Sequence, residues 1–349
     1  MKIFKYLLIF VPVSWGTYFL RGNSLGTFIT SALAIVPLAF IISRKTDRLR
    51  SYLGSSWGGL INVTFGNATE LIISLYAIID RLLNVVKANI TGSIVMNLLL
   101  VLGLSFFTGG LKHRKQTFDK VLAIANGTML MLAVIGMLIP AIFYFASPNI
   151  KTLVLGKLSL GVGAVLFVTY MASLYYTLVI HENEKKESHR QIKKSPGRGS
   201  VMREAFILFL VTSLVAVEAN ILVGSITIIQ KKFNISPVFI GVIILPIISN
   251  VAENLTAITM ARENKIDLSI NIAIGSSIQV ALFLVPLLIF ISHLINHPMN
   301  VLFNLLEVSS IGLSVLAINI VYLQGESNWF EGLQLCAAYL IIAIAFYFA

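Results

Sequence analysis

Two glutamates sit in stretches where an ionisable side chain is costly: Glu70 in Gly66-Asn67-Ala68-Thr69-Glu70 and Glu253 in Ser249-Asn250-Val251-Ala252-Glu253. A Gly-Ser pair, Gly92-Ser93 or Gly275-Ser276, begins 22 residues after each glutamate, and 183 residues separate equivalent positions of the two sets. This is an internal duplication with one carboxylate per half. An acid inside an apolar stretch is kept where it faces a polar cavity, an ion or a partner. Asn67 and Glu70 are three residues apart and point to the same side of a helix, as do Asn250 and Glu253. Each half then offers an amide oxygen beside a carboxylate. Hard divalent cations want such a set, and calcium accepts about six to eight oxygen ligands at flexible geometry. Two negative charges match one divalent ion, so Glu70 and Glu253 are the expected metal ligands and the chemistry is cation movement.

The helices expected after each motif add Ser93 and Asn97 in the first half and Ser276, Ser277 and Gln279 in the second. Ser93, Asn97 and Ser276 suit interhelical glue and cation ligation equally, because small polar residues do both within membranes. Gln279 is favoured as a ligand, since a long amide in lipid needs a partner. Gly92 and Gly275 are expected to let neighbouring backbones approach. Two further acids, Glu218 and Glu307, have no acidic counterpart in the other half; Ile35 stands opposite Glu218. They fit accessory proton or cation access and a buried polar bond equally well. His113, His181, His189, His293 and His297 fall in expected loops and read as solvated.

These residues must be positioned by membrane helices. Hydrophobic residues make up 57% of the 349 and charged ones 12%, against about 25% charged in an ordinary soluble domain. Spanning the hydrocarbon takes about 20 apolar residues, and eleven such stretches are expected: 4–20, 25–43, 59–79, 88–108, 121–146, 153–180, 204–229, 237–261, 268–292, 300–323 and 329–349. The predicted fold class is an all-α membrane protein. Lys2 and Lys5 before the first apolar run resemble a signal peptide, but bulky Tyr18-Phe19-Leu20-Arg21 offers no small-residue cleavage site, so that run is expected to stay as a helix.

The net charge of +11 sets topology rather than marking a nucleic-acid partner. With the N-terminus cytoplasmic, 19 of the 26 Lys and Arg residues fall in inside segments, and the C-terminus lies outside. Residues 181–203 form the one long polar interruption and read as a solvated cytoplasmic linker between two five-helix repeats, 25–180 and 204–349, with 1–24 as an extra first helix. Five is odd, so the second repeat inserts upside down relative to the first, the inverted-repeat plan of many secondary transporters. Gly58, Gly59 and Gly66 before the first glutamate, and Pro246 before the second, weaken helical bonding and suit broken helices lining a cavity.

The segments Gly58-Gly59-Leu60-Ile61-Asn62-Val63-Thr64-Phe65-Gly66-Asn67-Ala68-Thr69-Glu70 and Gly275-Ser276-Ser277-Ile278-Gln279-Val280-Ala281-Leu282 resemble the two signature regions of the calcium/proton exchangers, the cation-exchanger branch of the calcium/cation antiporter superfamily. The resemblance runs loosely from about Ala32 to the C-terminus. It implies one plus five plus five helices and a carrier whose two signature glutamates bind Ca2+ and protons alternately, here Glu70 and Glu253, with Asn67, Asn250 and Gln279 as supporting ligands. Ser249 stands where glycine is usual, Asn254 where many members have histidine, and Met96 where a small polar residue is common. The linker also lacks the acidic stretch of many members. These departures bear on regulation and ion preference rather than on the basic activity.

The expected partners are Ca2+, protons and the lipid bilayer, with a homo-oligomer compatible; no cofactor and no nucleic acid are expected. The nearest alternative is a sodium-coupled calcium exchanger. An intramembrane metalloprotease would need metal-binding histidines, and neither a membrane-embedded histidine nor a His-Glu-x-x-His pattern is present in the sequence. The lone Cys336 excludes an intrachain disulfide and a cysteine metal cluster. Compact loops suit a prokaryotic plasma membrane.

Overall fold

A computed structural model describes residues 2–147, 152–176 and 198–349. The described chain is mostly helical. In order it forms α1 (Lys2–Leu7), α2 (Phe10–Arg21), α3 (Leu25–Phe65), α4 (Ala68–Ile79), α5 (Leu83–His113), α6 (Lys120–Ala146) and α7 (Thr152–Tyr175). After the linker come α8 (Arg198–Phe233), α9 (Pro237–Ser249), α10 (Val251–Arg262), α11 (Ile266–Leu294), α12 (Leu305–Gln324) and α13 (Trp329–Phe348). Among the described residues eight helices are long and apolar enough to cross a bilayer, and the bent pair α9 and α10 makes a ninth. Outward side chains such as Phe145, Val168, Phe209 and Ile341 are more than half exposed, as lipid-facing residues are. The protein is an integral membrane protein.

The sequence-based boundaries need several corrections. The predicted first helix, 4–20, is divided at Leu8-Ile9 into α1 and α2. Arg44 to Arg50, expected as a loop, is helical, and the helical pattern of α3 is continuous to Phe65. Its path is nonetheless not straight: a Cβ on Gly58 would come 2.8 Å from the carbonyl oxygen of Arg50 and 3.0 Å from its Cα. Eight residues of straight helix would hold them about 12 Å apart. The chain doubles back between them, which separates the apolar segment Leu25–Leu53 from the arm leading to Asn67. The predicted linker end, 198–203, belongs to α8, while 181–197 lies outside the described residues. Two three-residue strands, β1 (Lys115–Thr117) and β2 (Glu326–Asn328), pair antiparallel with Gln116 opposite Ser327. An all-α expectation misses this ladder because three residues leave no periodicity to detect.

Both glutamate-bearing helices are interrupted at an asparagine. Asn67 (φ −105°, ψ 27°) separates α3 from α4, and Asn250 (φ −103°, ψ 8°) separates α9 from α10, whose axes meet at 66°. Glu70 and Glu253 therefore lie in the first turn of a new helix, where unsatisfied N–H groups and the positive end of the helix dipole favour negative charge. The partner helices widen into π-turns at Met96–Val101 in α5 and Val280–Leu284 in α11, and α9 has a third at Ile240–Ile244. Such turns free backbone carbonyls and recur at functional sites.

Packing divides the apolar interior. A large cluster draws on every helix from α3 to α13, α8 entering it through Ala219, Leu222, Val223, Ile226 and Ile229. A smaller one joins α2, α3 and α8 through Val11, Leu38, Ile42, Leu208 and Val215. Lipid tails are as apolar as these side chains, so close van der Waals fit rather than water exclusion holds the helices together. The α5–α13 crossing shows it: a Cβ on Gly103 would come 2.9 Å from the carbonyl oxygen of Gly332.

Candidate cation-binding site

The two helix breaks bring the predicted residues into one hydrogen-bonded network. Ser93 Oγ donates to Glu70 Oε1. Asn250 Nδ2, from the other half, donates to the same oxygen at 2.6 Å and lies 3.3 Å from Ser93 Oγ and 3.4 Å from Ser249 Oγ. In the second half the Ser276 hydroxyl bonds the Glu253 carboxylate and sits 3.5 Å from Asn67 Oδ1. Asn67 Nδ2 donates to Gln279 Oε1 at 2.9 Å, and Asn97 Nδ2 to Ser276 Oγ at 3.1 Å. Each asparagine at a break thus reaches across to the serine of the opposite half. The two carboxylates are near enough to act on each other electrostatically.

One oxygen of each carboxylate is left over. Glu70 Oε2 and Glu253 Oε2 are buried without a hydrogen-bond partner, a state that costs free energy unless a cation or a proton occupies it. Among the described residues no group of three His, Cys, Asp or Glu side chains is placed to hold a metal, so any cation here must draw on amides, hydroxyls and carbonyls besides the two acids. Oxygen-only sets with few charges suit calcium better than zinc or copper.

The two halves differ in access. Glu70 and Ser93 are each 1% exposed, whereas Glu253, Asn254 and Gln279 are half-buried. On the Glu70 side, a Cβ on Gly92 would run into the backbone of Val242 and one on Gly241 into Ala88, so α5 and α9 are closed upon each other. Around Gly275, the counterpart of Gly92, nothing lies within 4 Å of a Cβ. The expected close approach is present at Gly92 and absent at Gly275. Asp47, in the stretch Arg44 to Arg50, adds its charge to the field at Glu253.

The family model described as "Sodium/calcium exchanger protein" matches residues 23–179 and 204–348. The chain belongs to that exchanger family. Among curated relatives, the Ca(2+)/H(+) antiporter of Synechocystis sp. is 38% identical over 362 residues, covering 99% of this chain and 97% of its own. The crystal structure of the Ca2+/H+ antiporter protein YfkE superposes with a TM-score of 0.85 at 36% identity, covering all of both chains. The sodium-calcium exchanger NCX_Mj shares the fold alone, with a TM-score of 0.59 at 19% identity over 96% of this chain and 99% of that one.

Within this exchanger fold the remaining predicted residues lie elsewhere. Glu218 on α8 accepts from Ser14 Oγ through both carboxylate oxygens, at 2.8 and 2.7 Å, and bonds Trp15, tying α8 to α2. Glu307 forms a capping box with Asn304 at the start of α12, with bonds of 2.8 Å each way, and faces Lys87. Both therefore make the buried polar bonds that were one of their two expected roles. His113, His293 and His297, expected to be solvated, are half-buried and bond the carbonyl oxygens of Arg262, Ile289 and Ile78 at 3.0, 2.8 and 3.2 Å; His181 and His189 lie outside the described residues. Tyr170 on α7, which hydrogen-bonds Gln279, carries no duplication signal and is visible only once α7 packs against α11.

Proposed function

We infer that the protein is a calcium/proton antiporter, a secondary transporter in which Glu70 and Glu253 hold Ca2+ and protons in turn. The observation that carries this reading is the pair of buried, unpartnered carboxylate oxygens inside one cross-linked network. Ca2+ binds when both carboxylates are ionised, with Asn67, Asn250, Gln279, Ser93, Asn97 and Ser276 supporting it; protonation neutralises the site and releases the metal. A bare pair of negative charges is costly to carry through a low-dielectric interior, so empty return is suppressed and the two fluxes are coupled. Names borne by relatives at 38% and 36% identity over nearly the whole chain support the same substrates.

The wider architecture follows the inverted-repeat plan. Eleven passes are obtained by counting α1 with α2, Leu25–Leu53, the arm from Gly58 through α4, then α5, α6, α7, α8, the bent α9 and α10, α11, α12 and α13. The first repeat is 25–180 and the second 204–349, joined by a cytoplasmic linker, with the N-terminus inside and the C-terminus outside a prokaryotic plasma membrane. In this orientation the open side at Gly275 faces the cytoplasm, poised to load Ca2+ for export. Exchange runs by rocking of α2, α3 and α8, which share an apolar cluster of their own through Val11, Leu38, Ile42, Leu208 and Val215, against the site-bearing core; α7 is the remaining candidate for that moving set.

Calcium flux in proteoliposomes under separately imposed proton and sodium gradients tests the reading. A proton gradient drives uptake and a sodium gradient at clamped pH does not. The reverse result would make this a sodium-coupled exchanger, and dissipation of either gradient without coupling would make it a channel.

A further inference from the structure

Beyond the central site, the first half carries a second polar rung. Ser74 lies one helical turn beyond Glu70 on α4, and Asn89 one turn before Ser93 on α5, so the two pairs share facing stripes. The first rung is the Ser93–Glu70 bond. In the second, Asn89 Nδ2 donates to Ser74 Oγ at 3.3 Å. Both residues are 1% exposed, and Asn89 Oδ1 is buried with no partner. The rung lies on the sealed side, beside the α5–α9 contact made by Ala88, Gly92, Gly241 and Val242. It is nearer the turn at 80–82, the end where a cavity of about 390 Å3 opens among Asn84, Lys87, Asn300 and Glu307.

A helix-to-helix bond alone explains this rung poorly. Interhelical glue would be expected in both halves, yet the equivalents 183 residues on are Ala257 and Ile272, although Glu, Asn and Ser are all duplicated one turn away. A buried amide oxygen left unpaired is also a cost that pure glue does not need. A hydroxyl and an amide oxygen, both neutral, bind a divalent cation weakly. Weak ligation is what a step between a charged site and bulk water requires, because the ion must leave again.

Resting on the antiport reading above, we propose that Ser74 and Asn89 form a second, transient cation-coordinating step that a divalent ion crosses between the two glutamates and the 80–82 end once α5 and α9 part. The rung acts on one side of the membrane only.

The test is calcium flux in proteoliposomes holding the full chain in a single orientation, with apparent Ca2+ affinity measured in turn from each face. Measured from the 80–82 face, Asn89→Ala and Ser74→Ala each weaken apparent affinity about tenfold, the effect of losing one neutral ligand, while Asn89→Asp keeps or strengthens it. From the opposite face all three stay within about twofold of the native chain. Equal shifts at both faces, or none at either, overturn the proposal and leave the rung a structural bond. Should Asn89→Ala not fold, Ser74→Ala removes a single hydroxyl and carries the same prediction. Failure of the antiport reading would instead be seen as absence of proton-driven calcium flux in the native chain, a result independent of the variants.

Discussion

Glu70 is sealed at 1% exposure and its Oε1 takes bonds from Ser93 and from Asn250 of the other half, while Glu253 is half-buried and bonded by Ser276. The same residue types at the same spacing are therefore held in two states within one molecule. The difference comes from what stands behind each glycine. Gly92 has the backbone of Val242 against it and Gly275 has open space. A duplicated sequence does not dictate a symmetric structure; here it supplies two equivalent faces, one closed at Gly92 and one open at Gly275. In the antiport proposed above, this asymmetry is what alternation of access would require.

The comparison is broken most severely by removing a charge from either half. Glu70→Gln and Glu253→Gln are both expected to reduce proton-driven calcium uptake in vesicles to background, since each deletes one of the two charges that match a divalent ion. Substantial transport by either variant would mean that the halves do not share one site. Next in size is the glycine pair. Gly92→Ala pushes a methyl group into the Val242 backbone and is expected to cost about 1–3 kcal/mol of stability, visible as a lower unfolding temperature. Gly275→Ala fits the present conformation, so it should leave that temperature unchanged yet slow turnover by hindering closure on its own side. A stability loss at Gly275 equal to that at Gly92 would remove the asymmetry.

Asparagine truncation sharpens the picture further. Asn67→Ala and Asn250→Ala each remove a bond across the halves and are expected to weaken apparent Ca2+ affinity by about tenfold, measured by isotope uptake. An unchanged affinity would strike that residue from the ligand set. The smallest effect is expected at Glu218→Gln. Its amide can still bond Ser14, so the pH dependence of transport should shift by less than about 0.3 units; a larger displacement would return Glu218 to the proton path.

Much of this is legible in the sequence. The offset of 183 residues identified Glu70, Asn67, Ser93 and their counterparts because duplication at fixed spacing is a sequence property. All of them meet in the network. The reversal near Arg50 was not legible, because the helical pattern runs on through it and only Gly58 against Arg50 reveals the turn. Tyr170 was hidden for a different reason: it lies on α7, a helix with no motif, 109 residues before its partner Gln279. The open and closed sides were hidden too, since Gly92 and Gly275 are indistinguishable as letters and differ only in their neighbours.

Shared occupancy of Glu70 and Glu253 by metal and protons is the claim on which the rest depends. It is tested most directly by counting the protons displaced when Ca2+ is added to the purified protein in weakly buffered detergent solution at several pH values. Two groups of oxygen ligands that must be deprotonated before the metal binds predict proton release on binding, and an apparent Ca2+ affinity that falls as pH falls. The predicted result is net proton release by the native chain that is lost when Glu70 and Glu253 are both replaced by Gln. Calcium binding without proton release, or release that survives in the double variant, would contradict the account.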